Sequence, residues 1–271
     1  MKKKIVSLLL AFVMLGTSIL FTACGGEGGS DQVKEKNAYE IISEALDKTE
    51  NLESMAAELK MEMSMGMEGM TMSVPIAIKL KAKDMKSENP VVSMLVSMSM
   101  LGQEINIEYY LEDQWAYMVM GEMKYKTNAE DMAQDFDYAQ SATDMLQQIP
   151  EELLKDIQLV KAEDGSQSAT IAFPGEKFAE IYDDFIESVN SDSETDIENI
   201  KITDPVVKIT VADGYVTVYD MAFTMEITVE DATSSTEVKA TLIYENPGQA
   251  VTITPPEGYQ EFAEMDAEIS W

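Results

Sequence analysis

Apolar and polar residues alternate one by one through long stretches of this chain, and that period of two limits the folds open to it. Met61, Met63, Met65 and Met67 alternate with Glu62, Ser64, Gly66 and Glu68. After Gly69, the series Met70, Met72, Val74, Ile76, Ile78 and Leu80 alternates with Thr71, Ser73, Pro75, Ala77, Lys79 and Lys81. Residues two apart in a strand share a face. The pattern predicts a hairpin turned near Glu68-Gly69, with one apolar and one polar face.

The alternation recurs. Val92, Met94, Val96, Met98 and Met100 face one way, Gly102-Gln103 turns the chain, and Ile105, Ile107, Tyr109 and Leu111 follow. Beyond a turn at Glu112-Asp113-Gln114, Trp115, Tyr117 and Val119 alternate with Met118 and Met120, so that strand is apolar on both faces. Such a strand is central or covered by a helix on its second side. Ile157–Lys161 and Ser168–Phe173 flank Asp164-Gly165, and Val207, Ile209 and Val211 lead into Asp213-Gly214; both pairs are hairpin signals. A long strand then carries Tyr215, Thr217, Tyr219, Met221, Phe223, Met225, Ile227 and Val229 on one face and Val216, Val218, Asp220 and Ala222 on the other. Val238, Ala240, Leu242 and Tyr244 line the next strand, and Ala250–Ile253 predicts a short last one.

Helical spacing appears in three places. Asn37 is positioned to cap a helix running to about Glu50, with Tyr39, Ile42, Leu46 and Ile41, Ala45 on its apolar side. Asn128 to about Asp156 reads as a helical insertion interrupted near Pro150, and Phe178, Ile181, Phe185 and Val189 repeat at helical spacing within Gly175–Asn190. Ser191–Glu198 reads as an acidic loop. Long antiparallel strands with one apolar face must cover that face or curl around it. The order of elements therefore predicts an α+β domain over residues 37–271, one curved sheet clasping helices, with strand order left open.

The N-terminus has a different character. Lys2, Lys3 and Lys4 precede an apolar stretch from Ile5 to Leu20, the layout of a secretory signal peptide. The stretch is shorter than the roughly 20 residues of a spanning helix. Small Thr22 and Ala23 before Cys24, with Gly25-Gly26 after it, resemble the lipobox of bacterial lipoproteins, although Phe21 stands where that family prefers Leu, Val or Ile. The resemblance implies cleavage after residue 23, diacylglyceryl on the Cys24 thiol, and anchoring to the outer face of the cytoplasmic membrane. Two acyl chains meet the physical requirement for stable anchoring. Residues 24–36 then form a Gly-rich, polar tether. Cys24 is the only cysteine, so the domain holds no internal disulfide and no cysteine metal site.

Charge narrows the function. All 19 basic residues are lysine, against 50 Asp+Glu. Removing residues 1–23 takes away three lysines and no acid, so the remaining charge is 16 − 50 = −34. Such a polyanion is repelled by phosphate backbones, which argues against nucleic acid as a partner. The chain has no His and no Arg. Ser-His-Asp and Cys-His catalysis are therefore unavailable, and no Ser-x-x-Lys or Gly-x-x-x-x-Gly-Lys motif occurs. The residues point to a binding protein rather than an enzyme, with no cofactor. Asp192, Glu194 and Asp196 alternate, but no Gly follows where a calcium loop needs its sharp turn.

A lipobox, a first helix, Met-alternating strands, Asp213-Gly214-Tyr215 and the stretch from Asn246-Pro247-Gly248-Gln249 to Pro255-Pro256 together resemble the LolA/LppX-like lipoproteins, and more closely a group of Gram-positive lipoproteins of that kind. The resemblance implies an open half-barrel whose concave face is covered by helices, with an apolar cavity for lipid.

The 21 methionines admit three readings. Their flexible thioethers suit a deformable apolar surface. On that reading Met61, Met63, Met65, Met70, Met72, Met94, Met98, Trp115, Tyr117, Met221, Phe223 and Met225 line a site for an apolar or amphipathic ligand such as a lipid. The same residues could instead fill a solid core beneath the helices of an anchored interaction or sensing module. Thioether sulfur also suits Cu(I), and Met61-x-Met63-x-Met65-x-Met67 with Met70-x-Met72 could gather several sulfurs.

Overall fold

The computed structural model describes residues 36–67, 70–87, 89–100, 103–129, 157–174, 197–229 and 232–264. The Asn37 cap forms as the sequence predicts. Helix α1 spans Ala38–Glu50; the Asn37 side chain accepts from the Glu40 backbone N–H at 2.9 Å, and the Glu40 carboxylate accepts from the Asn37 N–H at 2.9 Å. This reciprocal pair satisfies two donors that a helix start otherwise leaves open.

Among the described residues twelve strands follow: β1 Ser54–Met67, β2 Met70–Lys83, β3 Val91–Met100, β4 Gln103–Glu112, β5 Trp115–Met120, β6 Met123–Asn128, β7 Val160–Lys161, β8 Gln167–Ala172, β9 Ile197–Ala212, β10 Tyr215–Val229, β11 Ala232–Tyr244 and β12 Ala263–Glu264. They form one open, curved sheet in the order β12-β6-β5-β4-β3-β2-β1-β11-β10-β9-β8-β7. The chain enters at the centre with β1, walks outward hairpin by hairpin to β6, begins again at the far edge with β7, and walks back to β11 beside β1. Only β12 runs parallel to its neighbour, β6.

The register carries the period of two across the sheet. Leu59 stands opposite Ile78 on one side and Leu242 on the other, and the row continues through Val96, Ile107 and Met120 and through Tyr219, Ile209 and Ala169. These residues share one face, called here the core face, and most are buried there with Ile42 and Ala45 of α1. Ile42, Ile78 and Ile209 are each 0% exposed. The opposite, outer face carries the lysines and acids, among them Glu58 with Lys60 at 2.9 Å and Glu237 with Lys239 at 2.9 Å.

Several expectations are corrected. The long strand does not alternate without interruption: β10 shifts register between Val216 and Val218, leaving Thr217 as an extra residue opposite β9. Val216 therefore joins the core, and the expected face holds only from Tyr219 onward. Thr49 of α1 uses this bulge. Its Oγ1 accepts from the Val216 N–H at 2.9 Å and donates to the Ala45 carbonyl at 2.7 Å, which makes a 3% exposed hydroxyl fully satisfied. Thr49→Val leaves that buried N–H without its partner and is expected to cost about 1–3 kcal/mol. Thr49→Ser, which keeps the oxygen, should lose distinctly less in a urea titration.

Asn128 lies in β6, so the strands run further than expected before the proposed insertion. Residues 130–156 of that insertion, the proposed helix at 175–190 and residues 191–196 of the acidic loop lie outside the described residues. Ile197 and Glu198 belong to β9 rather than to a loop, and β9 is correspondingly longer than expected. Ala250–Ile253 forms no strand; the chain instead reaches β12 through a 3-10 turn at Tyr259–Glu261. Only α1 among the described residues covers the core face as a helix, and it does so at the β9–β10 end.

Candidate functional site

The register sorts the twelve expected lining residues. Met61 stands opposite Ile76 and Ala240, then Met98 and Met221 one strand further out; Met63 stands opposite Val74 and Val238, the latter beside Phe223. Met65 opposes Met72 and Thr236, and Thr236 opposes Met225. Met94 opposes Leu80 and Tyr109. Met61, Met94 and Met221 are buried, while Met63, Met72, Met98, Phe223 and Met225 are half-buried. The side chains of Met65 and Met70 lie outside the described residues; Met70 is placed by its backbone opposite Met67. Met61, Met63, Met72, Met94, Met98, Met221, Phe223 and Met225 therefore share the core face.

Within that face the methionines are not evenly spread. Near α1 the face is built of Ala57, Leu80, Leu242, Tyr219 and Val211, all buried. Toward the opposite end, where β1 turns into β2 and β10 into β11, it changes to Met63, Met72, Met98, Phe223 and Met225 with their partial exposure. Aliphatic and aromatic side chains fill the first half, and deformable ones line the second.

The core face also lacks charge. Met55 to Met67 in β1, Met70 to Ala82 in β2, Val92 to Met100 in β3, Gln103 to Leu111 in β4 and Ala116 to Met120 in β5 place no Asp, Glu or Lys on it, counting alternate residues in the paired register. The same holds for Ala232 to Tyr244 in β11 and Tyr219 to Val229 in β10. A chain with 69 charged residues keeps every one of them off this surface in these seven strands. Among the described residues these seven strands present no charged side chain on it for ion pairing, and apolar burial is what they offer.

Trp115 and Tyr117 are not brought to the methionines. Tyr117 pairs with Tyr110 on the outer face, whereas Met118 pairs with Tyr109 on the core face. β5 is apolar on both faces as the sequence indicates, but its second face is covered by the C-terminal segment rather than by a helix. Tyr259 stacks edge-on against Tyr117 at 5.0 Å and Tyr110 at 5.4 Å, and Phe262 lies 6.0 Å from Tyr117. The Tyr259 hydroxyl donates to Glu112 at 2.9 Å, and the Lys126 ammonium stands 4.7 Å from the centre of the Trp115 ring. These aromatics are structural cover for the outer face.

Burial pushes the Tyr110 and Tyr117 phenols upward, helped at Tyr110 by the Glu112 carboxylate, and burial does the same to Tyr244. A raised folded-state value favours the neutral phenol, so this contribution to stability is complete below the ordinary tyrosine value of about 10 and is lost as pH climbs beyond it. Thermal melts should show a falling midpoint above about pH 10, less steep in a Tyr110→Phe variant.

A separate cleft of about 420 Å³ lies between α1 and the β7–β8 and β9–β10 turns, lined by Lys36, Ile41, Glu44, Lys48, Gln167 and Gly214 among others. Lys48 closes one side, donating to the Asp213 carbonyl at 3.0 Å with its ammonium 3.7 Å from the centre of the Tyr215 ring. The resemblance-bearing segments meet nearby: Gly248, at φ +84°, lies against Tyr215, where a Cβ would stand 2.5 Å from the hydroxyl. Among the described residues no cluster of three or more Asp, Glu, His or Cys could hold a metal, and no helix is long and apolar enough to cross a membrane. The acidic series Asp192, Glu194 and Asp196 lies outside the described residues.

Three solved structures resemble this chain over most of its length at low identity. LprF from Mycobacterium bovis is 14% identical, covering 81% of this chain and 96% of its own, with a TM-score of 0.40. A DUF1329 family protein from Desulfovibrio piger is 9% identical, covering 79% and 93%, with a TM-score of 0.27. A domain described as an outer membrane lipoprotein-sorting protein, from Vibrio parahaemolyticus, is 11% identical, covering 79% and 94%, with a TM-score of 0.26. Likeness at this level says nothing about ligand. No curated protein matches the sequence. The model of a family of unknown function, DUF6612, matches residues 37–261, and the chain belongs to that family.

Proposed function

We propose that this protein is an extracytoplasmic lipoprotein, anchored through lipid on Cys24, that holds an apolar or amphipathic ligand such as a lipid against the methionine half of its core face. The observation that carries the reading is the exclusion of charge from that face in seven neighbouring strands, combined with the half-burial of Met63, Met72, Met98, Phe223 and Met225. A face that only filled a core would gain nothing from flexible, half-exposed thioethers at one end. Such side chains adapt to a guest whose shape varies. Binding draws on apolar area removed from water, about 25 cal/mol per Å².

The Cu(I) reading keeps one observation in its favour: Met65 opposes Met72 and Met67 opposes Met70 at the β1–β2 end. The methionines of β3 and β10 stand apart from that group, interleaved with Val, Ile and Phe.

The test is to export the domain with Cys24→Ser and weigh it by native mass spectrometry. The proposal expects added mass that fragments as lipid, either as purified or after incubation with membrane extract. A copper-sized increment would support the metal reading instead. An unchanged apo mass after both membrane extract and Cu(I) contradicts both and leaves an anchored interaction module.

A further inference from the structure

Outside the tyrosines, two polar side chains are buried among the described residues: Thr49, 3% exposed, and Thr236, 8% exposed. The fold accounts for the first, which bonds the Val216 N–H and the Ala45 carbonyl. Among the described residues the Thr236 hydroxyl makes no hydrogen bond. Hydroxyls close to it on β10 and β11 do: Thr233 shares a bond with Thr228 at 3.0 Å, and Thr241 donates to Asp220 at 2.7 Å. Thr236 stands on the core face. On β11 it alternates with Ser235 and Glu237, both exposed, and lies two residues before buried Val238. The register places Met65 of β1 on one side of it and Met225 of β10 on the other, and the row continues to Met72 of β2 and Ile202 of β9. One hydroxyl thus sits at the centre of a five-strand row that is otherwise Met and Ile. The next row toward α1, through Val74, Met63, Val238 and Phe223, is wholly apolar.

Resting on the function proposed above, we propose that Thr236 is the polar anchor of the ligand site: its hydroxyl donates to a hydroxyl or carbonyl oxygen of the ligand and fixes which way round the guest lies. Apolar binding sites take their orientation and selectivity from a few placed polar groups. Buried polar groups are as a rule hydrogen-bonded, so one without a partner from the chain is open to a partner from outside. A hydroxyl also offers a donor and acceptor positions without any charge. The ligand class that follows is an amphiphile whose oxygen lies directly beside its hydrocarbon, with the oxygen at the Thr236 row and the hydrocarbon over Met63 and Phe223. A bare hydrocarbon covers the same surface but leaves the threonine unpaired, and binds less well by the worth of one hydrogen bond.

The test compares the exported Cys24→Ser protein with its Thr236→Val and Thr236→Ser forms. Displacement of an uncharged naphthylamine dye is read with 1-decanol and with 1-chlorodecane, probes of one chain length of which only the first carries a hydroxyl. Valine keeps the shape of the side chain and removes its oxygen. Thr236→Val is expected to weaken decanol about fivefold, the worth of one hydrogen bond, and to leave chlorodecane at the parent level. It is also expected to melt at or above the parent temperature, since no bond within the chain is lost. Thr236→Ser, which keeps the oxygen, should hold decanol at the parent level. Equal losses for the two probes, or no loss for decanol, overturn the inference. A lowered melting temperature in Thr236→Val overturns it too, because the hydroxyl would then serve the fold as Thr49 does. In each of these failures the parent protein still binds the dye and both probes. If the parent binds none of the three, the proposed function itself falls, and the inference with it.

Discussion

Serine at Met63, Met72 and Met98 together is expected to weaken an apolar ligand at least a hundredfold while the domain stays folded. The three residues stand on β1, β2 and β3, share the core face, and are each half-buried. Full burial of a Met side chain contributes about 1.5–3 kcal/mol. Three half-buried ones that a ligand finishes covering amount to about 3 kcal/mol, or more than a hundredfold in Kd. Partial exposure also limits the stability loss, because the substituted hydroxyls keep access to water. Unchanged affinity in a variant with wild-type thermal melting would remove these residues from the site.

Ile42→Ala carries the largest expected effect on folding. Ile42 is 0% exposed and is the point at which α1 enters the core shared by β9, β10 and the centre of the sheet. Truncating such a residue costs the lost transfer energy and leaves a cavity, together about 2–5 kcal/mol. Ile41, one residue away and half-buried along the cleft, should cost much less when changed to alanine. Urea unfolding measures both; near-equal losses would mean that α1 does not hold the core face through Ile42.

The period of two made the face of each strand legible, because parity along a strand needs no knowledge of neighbours. The Asp213-Gly214 turn was equally plain: both residues adopt positive φ, which such a two-residue hairpin turn requires. What could not be read is whatever depends on pairing across the sheet. The bulge at Thr217 leaves no trace in composition, since Thr and Val alternate through it, and it turns Val216, ahead of it, onto the core face. The cover over Tyr110 and Tyr117 comes from Tyr259 and Phe262, distant in sequence and carried on a segment with no strand pattern.

Trp115 and Tyr117 show the same limit from another side. Their parity set them apart from Met118 and Met120, yet only the pairing of Tyr117 with Tyr110 and of Met118 with Tyr109 shows which pair shares the methionine face. β6 carries a local signal of its own: Met123, Tyr125 and Thr127 alternate with Lys124 and Lys126, in a run shorter than its neighbours. Strand order was beyond reach, since nothing local announces that β1 and β11, first and eleventh along the chain, lie side by side at the centre.

Because neighbouring strand residues lie on opposite faces, one pair of substitutions isolates the central claim. Met98→Asp places a charge on the core face and Ser97→Asp places the same charge one residue away on the outer face, where Ser97 donates to Asn106 at 2.7 Å. Binding of an uncharged naphthylamine dye to the Cys24→Ser domain would be titrated in both, with melting curves confirming the fold. Met98→Asp is expected to abolish dye binding and Ser97→Asp to leave it at the parent level; equal binding in the two folded variants would rule out the core face as the ligand surface.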